Sequence, residues 1–112
     1  MLNKVLLVDD SEDDQYIADY MIRKVWPGCE VIMADDGIEA MGVLDTTLDA
    51  PPDLMLLDLN MPRMNGLEML KSWYSESESK PPPVVVLTSS DAPDDRREAL
   101  RFPSVQHYLL KP

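Results

Sequence analysis

The sequence predicts one α/β domain, an open, doubly wound parallel sheet of five strands with helices between them. Three observations lead there. Short strand-like segments recur five times along the 112 residues, four of them wholly apolar: Val5–Val8, Val31–Ala34, Leu54–Leu57, Val84–Leu87 and the more mixed Val105–Leu110. The first four are apolar at consecutive rather than alternate positions, the pattern of a strand buried on both faces. Between them lie stretches with apolar residues at helical spacing, so strands and helices alternate as the right-handed crossovers of a parallel sheet require.

Each helix has its own start and stop signals. Ser11 is a good N-cap for a helix running to Trp26, with Asp14 in capping-box position and further acids in the first turn. Ile17, Met21 and Val25 recur at i, i+4 and i+8, which predicts the inward face, and Pro27-Gly28 ends the helix. Asp36-Gly37 opens a second helix carrying Ile38, Met41 and Leu44, closed before Pro51-Pro52. A third follows Gly66 with Leu67, Leu70 and Trp73. The polar, then triple-proline segment 75–83 reads as a loop leading into a strand. A fourth helix is expected from about Pro93 to Phe102. The fifth strand has no helix after it, so residues 1–112 read as a domain truncated before its last covering helix.

Composition narrows the function classes. A hydrophobic fraction of 45% suits a globular core. A net charge of −11 argues against direct binding of nucleic acid or anionic lipid, both of which need basic patches. No apolar run is long enough to span a membrane, and no signal peptide is visible. The single cysteine, Cys29, reads as a partly buried filler and suits a reducing, cytoplasmic setting.

In such a fold the ligand site lies beyond the carboxyl ends of the strands. Those ends carry Asp9-Asp10, Asp58, Thr88-Ser89 and Lys111. Three carboxylates gathered there repel one another by roughly 4 kcal/mol per pair near 4 Å at an effective dielectric of about 20. Either some are protonated or a cation sits among them, and carboxylates with a backbone carbonyl and waters suit Mg²⁺. A carboxylate beside a metal and a lysine is also suited to phosphoryl transfer. Taken singly, Asp9-Asp10 could cap a helix, Asp58 could be a turn residue, and Lys111 could be solvated; together they favour a site. Asp35-Asp36 reads as turn and helix cap, and Asp13-Asp14 and Asp94-Asp95 as solvated first-turn acids.

Val8-Asp9-Asp10, the segment Asp58-Leu59-Asn60-Met61-Pro62-Arg63-Met64-Asn65-Gly66, Thr88-Ser89 and Lys111-Pro112 together resemble the response-regulator receiver domain of bacterial two-component systems. The resemblance covers the whole chain in the right order. It implies the flavodoxin-like strand order 2-1-3-4-5. It also implies a phosphoacceptor switch in which Asp58 takes a phosphoryl group from a phosphohistidine of a sensor kinase or a histidine phosphotransfer protein. Mg²⁺ would be held by Asp10 and Asp58 directly, by Asp9 mainly through water, and by the backbone carbonyl of Asn60. Lys111 and Thr88 would engage the phosphoryl group, with Tyr108 as the switch aromatic that turns inward. Asn60 and Ser90 match positions that tune phosphoryl lifetime, Pro62 and Gly66 shape the loop above the site, and the Lys111-Pro112 bond is usually cis. Such a domain promotes its own phosphorylation and dephosphorylation without turning over an external substrate.

The chain departs from the family pattern in places. Asn65 stands where Asp is common, and Arg101-Phe102-Pro103-Ser104 replaces a small-residue turn before the fifth strand. The missing last helix matters more, since family members bind partners or form homodimers through it. His107 reads as a surface strand residue. A flavin domain would need a phosphate cradle after the first strand, and a haloacid-dehalogenase-type phosphatase would need Asp-x-Asp there. A calcium loop from Asp58 fails at Pro62. The serious rival is a degenerate receiver that only binds partners, independently of phosphorylation.

Overall fold

The computed structural model describes residues 2–76 and 82–111. The elements are β1 (Lys4–Val8), α1 (Glu12–Val25), β2 (Glu30–Ala34), α2 (Gly37–Thr46), β3 (Leu54–Leu57), α3 (Gly66–Glu76), β4 (Val84–Thr88), α4 (Pro93–Ala99) and β5 (Val105–Leu110). All strand pairs are parallel and the order is β2-β1-β3-β4-β5, as the resemblance implied.

Three strands gain one residue at an end, and two helix ends move further. The fourth helix stops at Ala99 rather than Phe102, because the N–H groups of Arg101 and Phe102 fold back in tight turns onto Glu98 and Ala99. Ser75 and Glu76 extend α3, while most of the expected 75–83 loop lies outside the described residues. So does the Lys111–Pro112 bond.

The two faces of the sheet are covered unequally. Leu6, Val8, Met55, Leu57, Val84 and Val86 pack with Ala40 and Leu44 of α2, with Met69, Leu70 and Trp73 of α3, and with Ala99. The opposite face holds a smaller cluster of Val5, Ile22 and Cys29, with Trp26, Val31, Leu54 and Leu56 against it. Cys29 is thus buried filler, and burial pushes its thiol pKa up.

One expectation about α1 fails. Ile17, Met21 and Val25 are 60%, 54% and 60% exposed, and the helix buries Gln15 and Ile22 instead. Ile22 sits about 100° round the helix from Met21, so the apolar stripe lies beside the line of contact rather than under it. Ile17, Ala18 and Met21 form one wall of an open groove of about 580 Å³, with Leu7, Leu56 and Leu87 of the sheet as its floor. No helix among the described residues is long and apolar enough to cross a membrane.

Candidate functional site

Asp9, Asp58 and Lys111 are each the first residue beyond a strand, and each keeps its backbone N–H in the parallel ladder. Asp9 N donates to the Ala34 carbonyl at 3.0 Å, Asp58 N to Val8 at 2.9 Å and Lys111 N to Thr88 at 2.9 Å. Adjacent strands lie about 4.8 Å apart, so the carboxylates after β1 and β3 must converge. Asp9, Asp10 and Asp58 each bring one oxygen to within 4.8 Å of the others, Asp9 and Asp58 buried and Asp10 exposed.

Short turns aim two of these carboxylates. Ser11 N donates to Asp9 Oδ1 at 3.0 Å and Asn60 N to Asp58 Oδ1 at 3.1 Å. Both are Asx-type turns, in which the side chain accepts from the backbone two residues on. Gly66 lets α3 begin directly against the Asp58 carbonyl, which a Cβ at that position would meet at 2.5 Å.

Lys111 closes the site from β5. Its Nζ lies 2.8 Å from Asp9 Oδ2, 2.7 Å from Asp14 Oδ2 and 2.9 Å from Asp58 Oδ2. Burial alone would lower its pKa, but bonds to Asp14, Asp9 and Asp58 hold it well above the ordinary lysine value. The Asp9 carboxyl is pushed up by burial, against the pull of Lys111 and the Ser11 N–H and with the Asp58 charge adding to the rise. Ser11 caps α1 as expected, accepting from Asp14 N at 3.3 Å. Asp14 does not complete a capping box, however, since the Ser11 N–H is taken by Asp9. Nor is Asp14 merely solvated. Its contact with Lys111 spans 97 residues of sequence, and local pattern carries no signal for it.

The other expected residues fall into a second group. Thr88 is fully buried at the end of β4 and its hydroxyl accepts from Ser90 N at 3.3 Å. Ser90 Oγ donates to Asp95 Oδ2 at 2.6 Å, so Asp95 is a partner and not a solvated acid; Asp94 pairs only with Arg97 and stays exposed. Tyr108 points inward, 8% exposed, and its hydroxyl donates to the Ser90 carbonyl at 2.9 Å. Its hydroxyl pKa is raised chiefly by burial. The Arg96 guanidinium lies 5.7 Å from its ring centre. His107 is on the exposed side of β5.

Asp36 caps α2 as expected, accepting from Glu39 N at 2.9 Å, but its other oxygen accepts from Arg63 Nε at 2.6 Å, a tie the sequence did not suggest. Arg63 has a φ of 62°, a left-handed conformation. Gly37 N also donates to the Met64 carbonyl at 2.9 Å. The loop after Asp58 is therefore tied to the start of α2. Asp10, Asn60, Met61, Pro62 and Asn65 line a shallow depression beside the acids.

The acid set is all oxygen, with neither His nor Cys, which fits a hard divalent cation such as Mg²⁺ or Mn²⁺ rather than a softer metal. With a lysine ammonium at the same oxygens, the arrangement can neutralise a transferring phosphoryl group while leaving a carboxylate free to attack it.

Fold and site together define a signalling module of two-component systems, and the chain belongs to that family: residues 5–112 match the response regulator receiver domain. Members of this family are not catalysts for an external substrate, and receiver domains pair with histidine kinases. Among relatives, the chain is similar to the protein PilG of Pseudomonas aeruginosa, 33% identical over 109 residues, covering 97% of this chain and 76% of PilG. Among solved structures, it resembles the phosphorylated cyanobacterial phytochrome response regulator RcpA with a TM-score of 0.86 and 34% identity, covering 100% of this chain and 82% of the other. The Mn²⁺-bound form of the response regulator Rcp1 superposes with a TM-score of 0.84 at 34% identity, covering 98% and 81%.

Proposed function

We propose that the chain is a phosphoacceptor switch that receives its phosphoryl group on Asp58 from a phosphohistidine of a sensor kinase or a histidine phosphotransfer protein. The observation that carries this reading is the convergence of Asp9, Asp10, Asp58 and Lys111 at the ends of three strands. A lone acid after a strand would be a turn; three acids at one point beside a single lysine favour a divalent cation among them, and the cations together can then take up the charge of a phosphoryl group.

Mg²⁺ would be held by Asp9, Asp10, Asp58 and the Asn60 carbonyl, and when bound it would neutralise charge on the phosphoryl oxygens. An Asp58 carboxylate oxygen forms the new bond to phosphorus. The bond from phosphorus to the imidazole nitrogen breaks with its electron pair left on that nitrogen, and the donor ring, carrying a proton on its other nitrogen, leaves as neutral imidazole. The Asn60 N–H steadies Asp58 Oδ1, so the oxygen facing Lys111 is the one placed to react. Lys111 and the Thr88 hydroxyl then donate to phosphoryl oxygens. Thr88, Ser90 and Tyr108 form one hydrogen-bonded chain, so a shift at Thr88 is passed to the β4–α4 surface, where a partner would read it. Ser90 and Asn60 would tune the lifetime of the acyl phosphate.

Incubation with Mg²⁺ and acetyl phosphate should add 80 Da by intact mass, a shift lost in Asp58→Asn. A folded chain that binds Mg²⁺ yet never gains the adduct would leave the rival reading, a phosphorylation-independent binding module, in its place.

A further inference from the structure

Asp14 is not part of the metal-ligating set, yet it makes the shortest of the three bonds to Lys111. An ammonium has three hydrogens to donate. Asp14 and Asp58 accept hydrogen bonds from it and the Asp9 carboxylate pairs with it at 2.8 Å, so all three sides of the ammonium are occupied. Asp9 and Asp58 side chains are 5% exposed, whereas that of Asp14 is 41% exposed. Asp14 is thus the acceptor that water replaces at least cost, because a buried carboxylate stripped of its partner loses far more.

We infer that Asp14 is a positioning residue that competes with the incoming phosphoryl group for Lys111. This rests on Asp58 being the phosphoacceptor. In the resting chain Asp14 keeps the ammonium satisfied beside Asp58. On phosphorylation the Lys111 N–H that donates to the Asp14 carboxylate donates instead to a phosphoryl oxygen, and Asp14 turns to water. The exchange has a cost, and the Asp14 charge also sits beside a growing dianion. Both effects slow phosphoryl gain, so Asp14 sets the threshold of the switch through Lys111.

Asp14→Asn should gain the 80 Da adduct from acetyl phosphate about threefold to tenfold faster than the wild type, the scale of one partly exposed charge near a surface. Asp13→Asn removes the same charge from the neighbouring exposed position, off Lys111, and should change the rate far less. Equal acceleration in both variants would reduce Asp14 to general charge and overturn the inference. So would an unchanged rate in Asp14→Asn while the wild type is phosphorylated normally. A wild type that never gains 80 Da would instead sink the phosphoacceptor reading itself. The contact is tested separately, without phosphodonor, by urea unfolding in Mg²⁺-free buffer. Asp14→Asn and Lys111→Met should shift the midpoint non-additively in the double variant, and strict additivity would show that the pair does not interact.

Discussion

Gly66→Ala tests the junction between fold and site, because its sign opposes what helix propensity alone predicts. Alanine in a helix is favoured over glycine by about 0.5–1 kcal/mol. At Gly66, however, a Cβ would stand 2.5 Å from the Asp58 carbonyl oxygen, 3.0 Å from Leu59 Cδ2 and 3.1 Å from Leu59 Cα. Comfortable contacts begin near about 3.5 Å, so something must move by up to about 1 Å. Two of the three atoms are backbone, and the Leu59 carbonyl already accepts from Gly66 N at 3.2 Å. Overpacking of this kind costs about 1–3 kcal/mol, which cancels the propensity gain and leaves a net loss of up to about 2.5 kcal/mol. Gly42 lies on the exposed side of α2, and a Cβ there would meet nothing within 4 Å, so Gly42→Ala should gain about 0.5–1 kcal/mol. Urea unfolding followed by Trp26 and Trp73 fluorescence compares the two directly. Since the struck atom belongs to Asp58, Gly66→Ala should also slow phosphorylation, by up to about a hundredfold for a displacement near 1 Å. Gly66→Ala as stable as Gly42→Ala, with an unchanged rate, would refute the reasoning.

Two other consequences can be checked on the same protein. Burial would raise the Asp36 pKa, but the Glu39 N–H and Arg63 outweigh it and hold the carboxyl below its usual value. A depressed carboxyl contributes stability that is complete above the unfolded value near about pH 4 and is lost as pH falls through the folded one. The urea midpoint should therefore drop below about pH 4, and Asp36→Asn should flatten that drop while lowering the midpoint at neutral pH. Trp73 is 2% exposed and its Nε1 has no hydrogen-bond partner among the described residues. An unpaired buried donor costs about 1–3 kcal/mol, so Trp73→Phe should fall within about 1 kcal/mol of wild type by circular dichroism. Trp73→Ala should lose about 3–5 kcal/mol.

What could be read from the chain followed what is local. Continuous apolar runs marked the strands, and Ser11 and Asp36 marked two helix starts, because each signal is contained within a few residues. The site was legible for a topological reason: in a parallel sheet every strand ends at the same edge, so residues far apart in sequence share an address once the strands are found. Orientation about a helix axis was less legible. Ile17, Met21 and Val25 form a genuine apolar stripe, but spacing does not say which wall of a groove a stripe will line. Pairings across the fold were not legible at all. Asp14 looked like any first-turn acid, and Arg63 like any loop residue, until the end of β5 and the start of α2 were placed beside them.

The ladder bonds of Asp9, Asp58 and Lys111 explain why so few residues suffice to build this site. Each of these three side chains sits one step past its strand, with its own N–H still held by the neighbouring strand or by the residue that ends it. Its position is therefore inherited from the register of the parallel ladder. Nothing in a flexible loop has to be ordered to bring Asp9 and Asp58 together. Freedom is confined to the groups at the rim: the half-exposed carboxylate of Asp14, the exposed Asp10, and the Ser90 and Tyr108 bonds around α4. A switch needs that division. In the proposed switch the reacting oxygen would have to stay in place while its neighbours exchange partners, and the groups held in the ladder and those outside it suit those two parts.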